Sequence, residues 1–223
     1  AAPVVDMVSD VARRVRREVP DARLGTLAYH WSFPAPSGIQ VPDYVVMTLA
    51  PIHANFAHPF NSPANRDIGP NIVKWAGIAR NIVVWDYITN FAGYVQPHPG
   101  IDSMCRSIQW LATLPAVQGY FGQGSYNANG GEFAALRAWV AARLLWNPDQ
   151  DPSALVEMYV RGCYGDAAPF ILAYLRRIRD AVERTQSILT IRTQVTAPFL
   201  SFATLREADA LFEQAERAAA TQP

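Results

Sequence analysis

The sequence predicts an α/β fold, a partial (β/α)8 (TIM) barrel of about four parallel strands with their helices, followed by an all-α C-terminal segment. Four short β-branched or aromatic runs alternate with helical patterns, which is typical of parallel strands joined by helices. The loops after these runs are long, polar and aromatic, which favours the ligand-binding end of a barrel over a small open sheet. Beyond residue 147 only helical periodicity remains. We therefore expect a half-barrel over residues 1–147 and a helical extension over residues 148–223.

Each element has its own signal. Valines at helical spacing, with arginines between them, predict an opening helix that ends before Pro20. The strands are predicted at residues 23–29, 43–49, 82–85 and 117–121. Further helices are predicted at residues 68–79, 102–114, 132–146, 152–163, 167–188 and 203–219.

The segment NIVVWDYITNF, residues 81–91, is the most informative stretch. Its apolar run predicts a short strand that is buried on both faces and stops at Asp86 and Tyr87. Ligands bind at the C-terminal ends of parallel strands. Asp86 is therefore either a cleft residue or the cap of a turn, and the segment alone leaves both interpretations open.

Composition limits the function. Acidic and basic residues number 19 each, so no net field favours nucleic acid or an anionic membrane, and no apolar run is long enough for a membrane span. His53 and His58 lack the helix or cysteine partners of a zinc site, and His98 reads as a turn residue. We expect no metal and no organic cofactor. Cys105 and Cys163 are expected to be two buried free thiols rather than a disulfide.

Polar and aromatic side chains follow every predicted strand, and this combination suits a sugar, whose faces stack on rings and whose hydroxyls need polar partners. Glycoside hydrolysis usually needs two carboxylates. Asp86 and Glu132 are the catalytic candidates, although Glu132 also suits a favourable helix N-terminal charge, so a complete pair is not evident. The predicted substrate-binding residues are Tyr29, His30, Trp31, His53, His58, Trp85, Tyr87, Asn90, Gln123, Tyr126 and Asn127.

Four segments carry a resemblance: LAYHWSFPAP, PIHANFAHPF, IVVWDYITNF and GYFGQGSYNANGGEFAALRAWVAARLLWNPD. Together they resemble a bacterial domain of unknown function, part of which is related to glycoside hydrolases of the endo-β-N-acetylglucosaminidase type. The resemblance covers roughly residues 4–188. It implies a TIM-barrel enzyme with a trailing helical segment, a glycan substrate and a secreted or periplasmic location.

The sequence departs from that family in two ways. A segment with an Asn-Asp pair and close cysteines, which usually precedes the opening helix, is absent, so the missing N-terminal half of the barrel is an expected partner. The family commonly has Glu at the positions of His53 and Gly122. Three readings follow: a hydrolase of N-acetylhexosamine-containing or related glycans, a non-catalytic carbohydrate-binding barrel, and a structural fragment that needs its other half. The chain opens without an initiator Met or a signal peptide, as expected for a processed N-terminus or a part of a longer protein.

Overall fold

The computed structural model describes residues 1–220. Within them, four strands form one sheet in the order β1-β2-β3-β4, and every neighbouring pair is parallel. The strands are β1 (Leu24–Tyr29), β2 (Val45–Ala50), β3 (Ile82–Tyr87) and β4 (Val117–Gln123). The predicted α/β class with four parallel strands is confirmed.

The helices lie close to their predicted positions. They are α1 (Ala2–Glu18), α2 (Gly69–Ile78), α3 (Ile101–Ala112), α4 (Ala134–Trp146), α5 (Pro152–Tyr164), α6 (Ala168–Thr185) and α7 (Phe202–Ala219). One start differs by two residues: α4 begins at Ala134 rather than at Glu132. Phe133 has a φ of 48°, a left-handed backbone conformation that a right-handed helix cannot contain. Glu132 therefore lies in the loop before the helix.

The two faces of the sheet are different. Right-handed crossovers between strands in sequential order place the connecting helices on one face, which we call the helix-side face. Ile82 and Val84 are fully buried there, whereas Val83 and Trp85 on the opposite face are half-buried. Leu27 and Phe121 on this opposite face, which we call the open face, are 46% and 48% exposed. The prediction that β3 is buried on both faces is therefore wrong.

The helical segment shares a core with the sheet. Ile178 and Ala181 of α6 belong to the same apolar cluster as Met47 and Val84 of the strands. A second cluster joins α3, α4, α5 and α6. Because α6 contributes to both clusters, it connects the sheet to the C-terminal helices.

Two further expectations concern the chain as a whole. Both cysteines are free thiols, but only Cys105 is buried, and the expectation of burial is wrong for Cys163, which lies exposed on α5. In the part of the chain that the structure describes, none of the helices has both the length and the apolar character that crossing a membrane requires.

Candidate functional site

The C-terminal edge of the open face brings together side chains from three strands. Tyr29 is the last residue of β1. Tyr87 is the last residue of β3 and is paired in register with Gln123 of β4. The indole Nε1 of Trp85 donates a 2.8 Å hydrogen bond to Oε1 of Gln123. Burial raises the pKa of Tyr87, and the nearby Tyr29 adds to this effect. The edge therefore offers neutral hydroxyl and amide groups beside an indole ring.

Two histidines stand at the same edge: His30 directly follows β1, and His53 is the third residue after β2. Nδ1 of His30 lies 3.1 Å from Nε2 of His53, and both rings are exposed. His30 has a φ of 48°, a conformation that costs a non-glycine residue on the order of 1 kcal/mol. Among residues 1–220, neither imidazole takes part in an ion pair.

Aromatic rings on the following loops extend this edge. The ring of Tyr87 meets Phe91 at a centroid distance of 6.1 Å, and Phe91 meets Tyr126 at 5.6 Å. Tyr126 is 69% exposed, and Tyr94 donates a 2.7 Å hydrogen bond to Oδ1 of Asn127. Trp31, beyond β1, is 74% exposed. Tyr126 and Trp31 therefore expose their rings to solvent, whereas Tyr87 is only 7% exposed.

Asp86 lies on the other side of the sheet. It is the fifth residue of β3 rather than the first residue after it, and the two-residue period of a strand places it on the same face as Val84. The side chain is buried, and its Oδ2 accepts a 2.6 Å hydrogen bond from the Tyr120 hydroxyl. The expectation that Asp86 emerges beyond the strand end is corrected. Its catalytic role stays a prediction, and its burial argues against direct contact with a ligand on the open face.

Glu132 is occupied by a different partner. Its carboxylate forms an ion pair with Arg137, and both side chains are almost completely buried. Arg137 also donates a 2.7 Å hydrogen bond to the backbone carbonyl of His98. Burial, together with the nearby Arg137, lowers the pKa of His98 to about 3, so this imidazole is neutral. His98 therefore lies in the loop before α3, near where a turn is predicted, with its imidazole buried.

Residues 1–176 match the family described as "Domain of unknown function (DUF4838)". The chain belongs to this family. No curated protein and no solved structure matches it. The expected resemblance to a domain of unknown function is confirmed for DUF4838, whereas the link to endo-β-N-acetylglucosaminidases stays a prediction.

Two of the predicted binding residues do not join the edge of the DUF4838 sheet. Asn90 is 1% exposed, and its side chain donates a 2.8 Å hydrogen bond to the carbonyl of Thr193 and accepts one from the N–H of Ala92. His58 is exposed and lines a separate cavity of about 340 Å³ near Asp102 and Arg179. Asn90 therefore holds a loop in place, and His58 belongs to another surface.

The side chains at this edge limit the chemistry of the candidate site. Among residues 1–220, histidine, cysteine and acidic side chains nowhere gather in a group of three or more that could hold a metal ion. The strand residues paired on the open face include no Asp or Glu. The site therefore offers rings, hydroxyls, an amide and two imidazoles. The sequence patterns do not predict the hydrogen bonds from Tyr120 to Asp86 and from Arg137 to His98, because the partners lie 34 and 39 residues apart along the chain.

Proposed function

We propose that this chain is the C-terminal half of a (β/α)8 glycoside hydrolase-like barrel, and that its open face binds an N-acetylhexosamine-containing or related glycan. One observation carries the proposal. Tyr29, Trp85, Tyr87 and Gln123 share one face of the sheet at the C-terminal ends of parallel strands. In barrel enzymes this end of the strands forms the active site.

The chemistry of the edge suits a sugar. The indole of Trp85 lies edge-on to Phe121, with ring centroids 4.8 Å apart, and is held by Gln123, so its orientation is fixed before a ligand arrives. A fixed ring stacks on the apolar face of a pyranose with little loss of side-chain entropy. The hydroxyls of Tyr29 and Tyr87 and the amide of Gln123 both donate and accept, as sugar hydroxyls require. His30 and His53 add polar nitrogens at the rim.

The exposure of the open face supports the half-barrel. In a closed (β/α)8 barrel the helices cover the outside and the inner face is filled by side chains from other strands. Here the sequential strand order matches half of such a barrel, and β1 and β4 each have one neighbouring strand. Leu27 and Phe121 project from the uncovered face. A second set of strands would cover both.

The contacts of Asp86 and Glu132 bear on whether this chain itself hydrolyses the sugar or only binds it. Asp86 is buried on the helix-side face, and Glu132 is held by Arg137. These contacts favour the second candidate, a glycan-binding half without catalytic carboxylates of its own. We propose that the residues of this chain bind and orient the sugar, and that any hydrolysis uses carboxylates from other parts of a complete barrel.

Glycan binding is tested by calorimetric titration with an N-acetylglucosamine oligosaccharide. Replacing Trp85 by Ala removes the stacking platform and should weaken binding at least about tenfold. Trp146→Ala is the matched control, because Trp146 is 91% exposed at the end of α4. Equal affinities of the two variants would contradict the proposal.

The half-barrel is tested by self-association. An uncovered apolar sheet face with two free edges promotes aggregation, so the 223-residue chain should sediment as oligomers. A Leu27→Lys, Phe121→Lys double variant should shift the distribution toward monomer. If the unsubstituted chain is a monodisperse monomer that unfolds cooperatively, the half-barrel is wrong, while glycan binding stands or falls by the titration.

A further inference from the structure

A cavity of about 410 Å³ lies between α3, α5 and α6, on the helical side of the protein. Ile101 of α3, Val156 of α5, and Leu172 and Leu175 of α6 give it apolar walls. Its size falls within the usual range for small-molecule sites, which are lined mainly by apolar side chains with a few polar groups. The volume and lining are those of a site for one small ligand.

The charges around the cavity identify the polar end of that ligand. Nearly all of the charged residues that line it already have partners. The ion pairs are Asp102–Arg106 (2.9 Å), Glu157–Arg161 (2.7 Å), Arg179–Asp180 (3.2 Å) and the buried pair Glu132–Arg137. Arg176 of α6 also lines the cavity and is exposed, and among residues 1–220 its guanidinium takes part in no ion pair and no side-chain hydrogen bond. One guanidinium is therefore left to pair with one anionic group.

We propose that this cavity binds a small amphipathic molecule with an apolar body and a single carboxylate. The apolar body fills the space between Val156, Leu172 and Leu175, and the carboxylate pairs with Arg176 at the mouth. A guanidinium suits this role because its planar fork of donors matches the two oxygens of a carboxylate. The proposal is independent of glycan binding, since its residues lie on the helices and not at the edge of the open face.

The charge preference is tested by calorimetric titration with octanoate and with octylammonium, which have the same chain length and opposite charges. Octanoate should bind about tenfold more tightly than octylammonium, because Arg176 attracts one and repels the other. Arg176→Gln should lower octanoate affinity about three- to fivefold and remove most of the preference. Arg184→Gln is the control, since Arg184 lies on the same helix outside the cavity lining and should change neither affinity.

The location is tested by filling the cavity. Leu172→Trp and, separately, Val156→Phe should each weaken octanoate binding at least tenfold. Leu145→Trp, at a half-exposed position on α4, should leave it unchanged. Thermal melts show whether each variant is folded. If one of the two cavity-filling variants fails to fold, the other, on a different helix, still tests the location. The proposal is overturned if neither probe binds, or if octanoate binding survives both fillings. It is also overturned if octylammonium binds as tightly as octanoate, and that result would indicate a purely apolar occupant, such as side chains of another polypeptide.

Discussion

The hydroxyl of Tyr120 donates a 2.6 Å hydrogen bond to Oδ2 of Asp86 on the helix-side face of the sheet. Oδ1 of the same carboxyl accepts a 2.7 Å hydrogen bond from the backbone N–H of Tyr87. Burial raises the pKa of Asp86 from 3.8 to about 6, although both hydrogen bonds act to lower it. The carboxyl thus links β3 to β4 from inside the core, and its ionisation near neutral pH is unfavourable for folding.

The first prediction concerns pH. Because the pKa of Asp86 is higher in the folded protein than its ordinary value, the folded state holds the proton more tightly than the unfolded state. The stabilisation from this proton is complete below pH 4 and is lost as the pH rises through about 6. The loss should be about 2 to 3 kcal/mol. Asp86→Asn cannot titrate at this position. The free energy of unfolding of Asp86→Asn minus that of the unsubstituted protein should therefore increase by that amount from pH 4 to pH 7.5.

Urea unfolding of both proteins at the two pH values measures this difference, and comparing the proteins at each pH cancels the titration of all other groups. A stability difference that is the same at pH 4 and pH 7.5 would show that Asp86 does not titrate with a raised pKa.

The second prediction concerns Gln123, which accepts the hydrogen bond from the Trp85 indole. Gln123→Ala removes the amide that we propose binds the sugar, and it frees the indole to rotate. Affinity for an N-acetylglucosamine oligosaccharide should therefore fall about tenfold. Gln118→Ala on the same strand is the control, because Gln118 is exposed and bonds only locally to the carbonyl of Pro115. Titration calorimetry measures both. A similar loss in the two variants would point to a general effect on β4 instead of ligand contact.

The third prediction concerns the buried ion pair of Arg137 and Glu132. Arg137→Met leaves the carboxylate of Glu132 buried without its ion-pair partner and should lower the free energy of unfolding by about 3 to 5 kcal/mol. Arg161→Met breaks an exposed pair with Glu157 one turn away on α5 and should change stability by less than about 1 kcal/mol. Denaturant melts compare the two, and equal effects would contradict the burial of the Arg137 pair.

The fourth prediction compares two glycines of α2. A Cβ at Gly69 would lie 2.6 Å from the backbone oxygen of Phe60, which cannot move away cheaply. Gly69→Ala should therefore destabilise the protein by about 1 to 3 kcal/mol. A Cβ at Gly77 meets nothing within 4 Å, and Gly77→Ala should stabilise the helix by about 0.5 to 1 kcal/mol. The midpoint temperature of thermal unfolding should fall for Gly69→Ala and rise for Gly77→Ala. Two shifts of the same sign would rule out the close approach at Gly69.

Local pattern was enough to predict most of the fold. The spacing of Val5, Val8 and Ala12 marks the buried stripe of α1, and the run from Ile82 to Trp85 marks β3. The side of the sheet on which Asp86 lies was also readable, because Asp86 follows Ile82 and Val84 at steps of two. Because the predicted strand ends at Trp85, the prediction places Asp86 beyond the sheet and not on this face.

The rest of the site depends on contacts distant in the chain. The burial of His98 follows from Arg137, 39 residues later, and Asn90 is fixed by Thr193, 103 residues later. The pairing of His30 with His53 requires β1 and β2 to be neighbours and His30 to adopt a left-handed backbone. No spacing rule in the sequence specifies such pairs, because they depend on tertiary packing.

The most direct test of glycan binding at the open face follows the indole N–H signals of the tryptophans by NMR during titration with an N-acetylglucosamine oligosaccharide. The signal of Trp85 should shift most, because its Nε1 lies at the proposed subsite, and that of exposed Trp31 should follow. Trp75, which is a fully buried residue of α2, and Trp139 on α4 serve as internal controls, and their signals should stay unchanged. If Trp85 does not move at saturating ligand, or if the largest shift belongs to Trp139, the open face is not the glycan-binding site.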